Sequence, residues 1–129
     1  MRLDDLYLVD IIEAQESIAR MIVDSSEADF VNDEILAAAV QMKLLIMGEA
    51  MSSLTAETRD AFQNVPVERV RGLRNRIVHG YFTVDNRLIY EIAGRHSPEM
   101  ASEAERLLAS LFSKTYQQLK QRRSEKAEE

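Results

Sequence analysis

Between positions 69 and 81 the chain reads Arg69-Val70-Arg71-Gly72-Leu73-Arg74-Asn75-Arg76-Ile77-Val78-His79-Gly80-Tyr81, a cluster of four arginines and a histidine in a protein of net charge −6. An arginine guanidinium is always charged and presents forked donors that suit phosphate oxygens, while a histidine takes up and returns a proton near neutral pH. Together these groups can cleave RNA. His79 would activate the ribose 2′-hydroxyl or protonate the leaving oxygen, and Arg74 would stabilise charge on the phosphoryl group as it becomes five-coordinate. The scheme calls for no metal and no cofactor. A plainer reading stands beside it: arginines on a solvated helix face, with His79 favoured near a helix C-terminus by the dipole.

Spacing decides which of these groups can meet. On a helix Asn75 and His79 are four apart and Arg76 and His79 three apart, so each pair shares a face. Arg74 is five before His79, about 140° round an ideal helix. It reaches the same point only through its length, a helix distortion or a second subunit, which favours a composite site. Arg69, Arg71 and Arg76 either extend an RNA-binding strip or make structural ion pairs. Glu49 interrupts a strongly apolar stretch; it pairs with a motif arginine across the fold or faces solvent, and the second is expected. His96, beside Ser97-Pro98, is expected in an exposed loop, and the six methionines read as core filler or interface.

The elements that must position these residues are helical. Apolar residues at Leu8, Ile11, Ile12, Ile18, Ala19 and Ile22 give Leu3 to Val23 one buried stripe. Asn32 or Asp33 caps a second helix running to about Ser53, apolar over most of its circumference; such a helix is central in its fold or shared with a partner, which hints at a dimer. Thr55 opens a short helix to about Gln63, ended by Asn64 and Pro66. The motif helix spans roughly Val67 to Val78, broken by Gly80, with Tyr81-Phe82-Thr83-Val84 extended after it. Asp85 caps a short helix ending near Gly94. Ser97-Pro98-Glu99 starts the last helix, with Met100, Ala104, Leu107, Leu108, Leu111, Phe112 and Leu119 on one stripe and a charged tail, 120–129, that frays. The predicted architecture is all-α: one domain, 1–129, an antiparallel helical bundle of about four main helices plus short ones.

Composition narrows the functions available. With 129 residues, 46% hydrophobic and 29% charged, the chain can bury a core without staples. It has no cysteine and only two histidines, which leaves no thiolate site and makes a catalytic metal a poor candidate. The net negative charge argues against broad DNA binding, so any nucleic-acid contact must be local. The acidic start lacks the pattern of a secretory signal, and no uninterrupted apolar run approaches the roughly 18 residues of a membrane span, so a soluble cytoplasmic protein is expected.

The stretch Arg74-Asn75-Arg76-Ile77-Val78-His79-Gly80-Tyr81 resembles the motif of the HEPN superfamily, in the Arg-four-residues-His-x-Tyr form of HepT toxins. The resemblance extends to Ile46-Met47-Gly48-Glu49-Ala50, to Val65-Pro66 and to Tyr81-Phe82-Thr83-Val84-Asp85. It implies a metal-independent endoribonuclease toxin of a type VII-like toxin–antitoxin pair, a homodimer with two motif helices facing across a cleft. Its implied partner is a nucleotidyltransferase antitoxin of the MntA kind. Arg74 is then the phosphate stabiliser, Asn75 the positioning residue, His79 the acid/base, and Tyr81 the acceptor of adenylate groups; a Tyr packed at the bundle rim is the alternative for Tyr81. Two other functions remain open. One is a catalytically silent HEPN module that binds a nucleotidyltransferase or a nucleotide. The other, a structural dimerisation bundle, leaves the arginine cluster unexplained.

Overall fold

The computed structural model describes residues 3–80 and 84–128, and among them there is no strand. The helices are α1 Asp4–Ile22, α2 Glu27–Val31, α3 Glu34–Ser53, α4 Ala56–Asp60, α5 Val67–Gly80, α6 Asn86–Glu91, α7 Ser97–Leu111 and α8 Ser113–Glu128, with a π-helical turn at Ile92–His96 between α6 and α7. The expected all-α bundle is what the chain forms.

Its core is built from stripes at helical spacing. On α3 the buried residues Ala37, Val40, Leu44, Met47 and Met51 step alternately by three and four, and they share one core with Leu8, Ile11, Ile12 and Ile18 of α1 and Met100, Ala104, Leu107 and Leu108 of α7. Full burial of each large side chain contributes about 1.5–3 kcal/mol. α1 therefore lies against both α3 and α7, and α3 lies also against α5. α3 is long and apolar enough to cross a membrane by length and composition alone, although no apolar run in the sequence reaches that length uninterrupted. One side of it packs on α1 and α5, while Ile35, Met42 and Ile46 stay exposed on the other, so this nearly all-round apolar helix is only half covered by its own chain.

Polar ties fix the helix ends. Asp33 caps α3, accepting from Leu36 N at 3.0 Å. The carboxylate of Asp4 accepts from the Thr55 amide at 3.1 Å and from the Thr55 and Thr58 hydroxyls at 2.6 Å each, which binds the start of α1 to the cap of α4. Burial by itself raises the Asp4 carboxyl's pKa, but these three bonds outweigh it and hold the group below its ordinary value.

The fold departs from the sequence expectation in four places. The polar stretch after α1 contains α2, held by the fully buried Phe30, whose ring lies 5.3 Å from that of Tyr90. α7 does begin at Ser97, as expected, but it continues directly from the π turn and Ser97 is not its cap. Ser97 is itself helical and buried, with its hydroxyl bonded to Ala93 O at 2.9 Å and to Gln15 of α1. Pro98 has no N–H for the carbonyl four residues back and its ring crowds that carbonyl, so a widened π turn just ahead lets the helix run on. His96 accordingly lies in this turn, partly buried, rather than in an exposed loop.

The last helix is also two helices. Phe112, at φ −137° and ψ 59°, breaks the spiral. α8 folds back so that Arg123 bonds both Glu105 of α7 and Glu16 of α1. Residues 105 and 123 would be about 27 Å apart on one straight helix. The single stripe expected from Met100 to Leu119 is thus split, and Leu111 is exposed. Within the tail expected to fray, Arg123 is tied down and the helix continues to Glu128. Finally, α5 continues through Gly80 rather than stopping at Val78; the extended piece expected at Tyr81-Phe82-Thr83-Val84 lies, save for Val84, outside the described residues.

Candidate functional site

α5 begins after a turn at Asn64, which adopts the left-handed φ of 59° that asparagine tolerates better than most residues. Pro66 follows, and its carbonyl accepts from Arg69 N at 2.9 Å and Val70 N at 3.1 Å, starting the spiral. The helix then packs on α3 at one close crossing. A Cβ on Gly48 would lie 2.7 Å from Cβ of Arg74 and 3.6 Å from the carbonyl oxygen of Val70, so only glycine lets the two backbones approach this far.

The crossing fixes Arg74. Its Nε donates to Glu49, the residue after the glycine, and its Nη1 donates to Oδ1 of Asn75 at 2.8 Å. Glu49 therefore pairs with a motif arginine, the alternative that the sequence reading placed second, although its side chain remains 49% exposed. The bond to Asn75 turns the guanidinium round the helix, toward the face that carries Asn75 and His79. Arg74 and His79 point about 140° apart round α5, and the bond to Asn75 ties the guanidinium to the residue that shares a face with His79.

Asn75 and His79 are both exposed, one turn apart, in the last turns of α5. Arg71 makes a 3.3 Å ion pair with Glu68 on the solvent side, an interaction that contributes little. Among the described residues Arg69 and Arg76 have no ion-pair partner. Tyr81, the expected modification site, lies outside the described residues. No group of three or more His, Asp or Glu side chains that could hold a metal ion occurs among the described residues.

The sequence model of the family described as "Ribonuclease HepT-like" matches residues 11–107. A protein of Caldanaerobacter subterraneus subsp. tengcongensis, provisionally named an RNase, is 32% identical over 79% of this chain and 91% of its own length. A Methanocaldococcus jannaschii protein, likewise provisionally named an RNase, is 28% identical over 84% of this chain and 93% of its own. A third relative, "Probable ribonuclease HepT" of Thermococcus cleftensis, is 29% identical over 78% of this chain and 92% of its own. No solved structure gives a significant match. Each alignment takes in most of the relative.

Proposed function

This chain belongs to the Ribonuclease HepT-like family, and from that premise we propose that it is a metal-independent endoribonuclease acting through Arg74, Asn75 and His79. The observation that carries the reading is the guanidinium of Arg74, held by Glu49 and turned onto Asn75. A guanidinium has five N–H donors. Nε and one Nη1 proton are engaged, which leaves the Nη2 edge for a phosphate oxygen as negative charge builds there.

His79 supplies the proton transfers. Removing the proton from a ribose 2′-hydroxyl lets that oxygen bond to phosphorus and form a cyclic 2′,3′-phosphate, while the bond to the 5′-oxygen breaks and that oxygen takes up a proton. One proton leaves and one arrives, so two histidines, one from each copy of a homodimer, can divide the work. A dimer has a surface to form on. Ile35, Met42 and Ile46 make an exposed apolar stripe on α3, with Ile35 84% and Met42 56% exposed, and Val78 of α5 is exposed as well. Such a stripe favours burial against its own symmetry copy.

The partner of this reading is an MntA-like nucleotidyltransferase acting as antitoxin. The Tyr81 hydroxyl would attack the α-phosphate of ATP, losing its proton and releasing pyrophosphate, and the attached adenylate would place negative charge near Arg74 and His79. Mass measurement after co-expression tests this: adenylate is expected on the parent and absent from Tyr81→Phe, and adenylate on Tyr7, Tyr90 or Tyr116 with Tyr81 bare contradicts it. RNA cleavage in the presence of EDTA, compared between the parent and His79→Ala, tests the catalytic reading itself.

A further inference from the structure

Beside the α3–α5 crossing, a cavity of about 550 Å³ opens between α3, α5, α6, the π turn and α7. Its walls are apolar: Leu44 and Met47 of α3, Leu73 of α5, Ile92 of the π turn and Met100 of α7. Among the lining groups the charged ones are Arg69 and Arg76 on α5, and His96 in the π turn adds a polar ring. A cavity of this size with apolar walls and few polar groups has the form of a small-ligand site, and π-helical turns are frequent at functional sites.

We propose that this cavity receives a nucleobase of the RNA, unstacked beside the phosphate that is cut; the proposal rests on the ribonuclease reading above. Arg69 and Arg76 are seven residues apart, so they project from one face of α5 about 10.5 Å apart along its axis. They flank Gly72 and Leu73, which also line the cavity. Two arginines without acidic partners among the described residues, set either side of an apolar opening, can hold the phosphates on both sides of an inserted base. His79 lies one turn beyond Arg76 on the same helix, within about 5 Å along the axis. Sequence-selective RNA recognition commonly splays single-stranded bases into such slots. The substrate class is therefore single-stranded RNA, read at a base adjacent to the cut, with the His96 ring in the cavity wall as a polar contact for that base.

Gly72 allows the cavity to be closed without breaking the fold. A Cβ there meets nothing within 4 Å, and methionine is a better helix former than glycine. The experiment uses a set of single-stranded RNA oligonucleotides in which one ribose at a time near the cut lacks its base. The parent is expected to lose about tenfold or more in cleavage rate at one position beside the cut. Gly72→Met, still folded, is expected to cut the intact and abasic RNAs at one equal, reduced rate. Binding of the same RNAs to His79→Ala, followed by fluorescence anisotropy, reads the cavity without the chemistry. Equal affinity for intact and abasic RNA overturns the cavity's role even where the parent cuts; discrimination in binding with no cleavage by the parent overturns the chemistry and leaves the base site standing. Unchanged base dependence in Gly72→Met also contradicts the assignment.

Discussion

Glu49 of α3 accepts a hydrogen bond from Nε of Arg74 on α5, so the acid that interrupts the apolar helix aims the first residue of the Arg-Asn-x-x-x-His stretch. The pair is half exposed, and such pairs contribute only about 0–1 kcal/mol to stability. Its importance lies in position. Glu49→Ala should therefore leave the thermal midpoint nearly unchanged while lowering RNA cleavage by roughly 10–100-fold, the cost of a misplaced catalytic group. Glu49→Gln keeps an acceptor for Nε and should recover most of the rate. Cleavage by Glu49→Ala at the parental rate would remove Glu49 from the account.

Two glycines should respond oppositely to the same substitution. At Gly48 an added Cβ meets Cβ of Arg74 at 2.7 Å, so Gly48→Ala should push α5 off α3, destabilise the fold by about 1–3 kcal/mol and disturb Arg74. At Gly72 the added methyl meets nothing, and replacing a mid-helix glycine by alanine should stabilise by about 0.5–1 kcal/mol. Urea unfolding of the two variants checks both signs; equal effects would contradict the close crossing.

The tie at Asp4 gives the fold an acid-sensitive contribution. Its carboxyl is held below its ordinary value in the folded state despite the opposing effect of burial. That stabilisation is fully present above the unfolded pKa of about 3.9 and is lost as pH falls through the lower folded value. Asp4→Asn should cost on the order of 1–3 kcal/mol at neutral pH, because the hydroxyl of buried Thr58 loses a charged acceptor. It should also flatten the loss of stability as pH falls below the ordinary carboxylate value of about 3.9. A parental acid limb in this variant would show that Asp4 contributes nothing to it.

α1 and α3 were legible in the sequence because burial imposes its period directly, and the starts of α3 and α4 because Asp33 and Thr55 carry side chains that cap a helix. The arginine cluster stood out as well, four arginines within eight residues of an acidic chain. What escaped was tertiary. α2 depends on one phenylalanine finding Tyr90 across the chain, and the α7–α8 hairpin depends on Arg123 reaching Glu105 and Glu16. Neither contact leaves a local period. Ser97-Pro98 carries a helix-start signal, but the π turn absorbs the proline and uses the serine as a buried tie to α1. Glu49 had an available signal, an acid after Gly48 in an apolar helix; without the α3–α5 crossing, exposure was the stronger expectation.

In the proposed mechanism His79 moves the protons in cleavage of RNA without a metal. Purified protein incubated with single-stranded RNA in excess EDTA should cut it, and His79→Ala, still folded and of unchanged oligomeric state by light scattering, should lose about 10²–10⁴ in rate. Cleavage by His79→Ala at the parental rate, or cleavage by the parent that EDTA abolishes, would contradict the account.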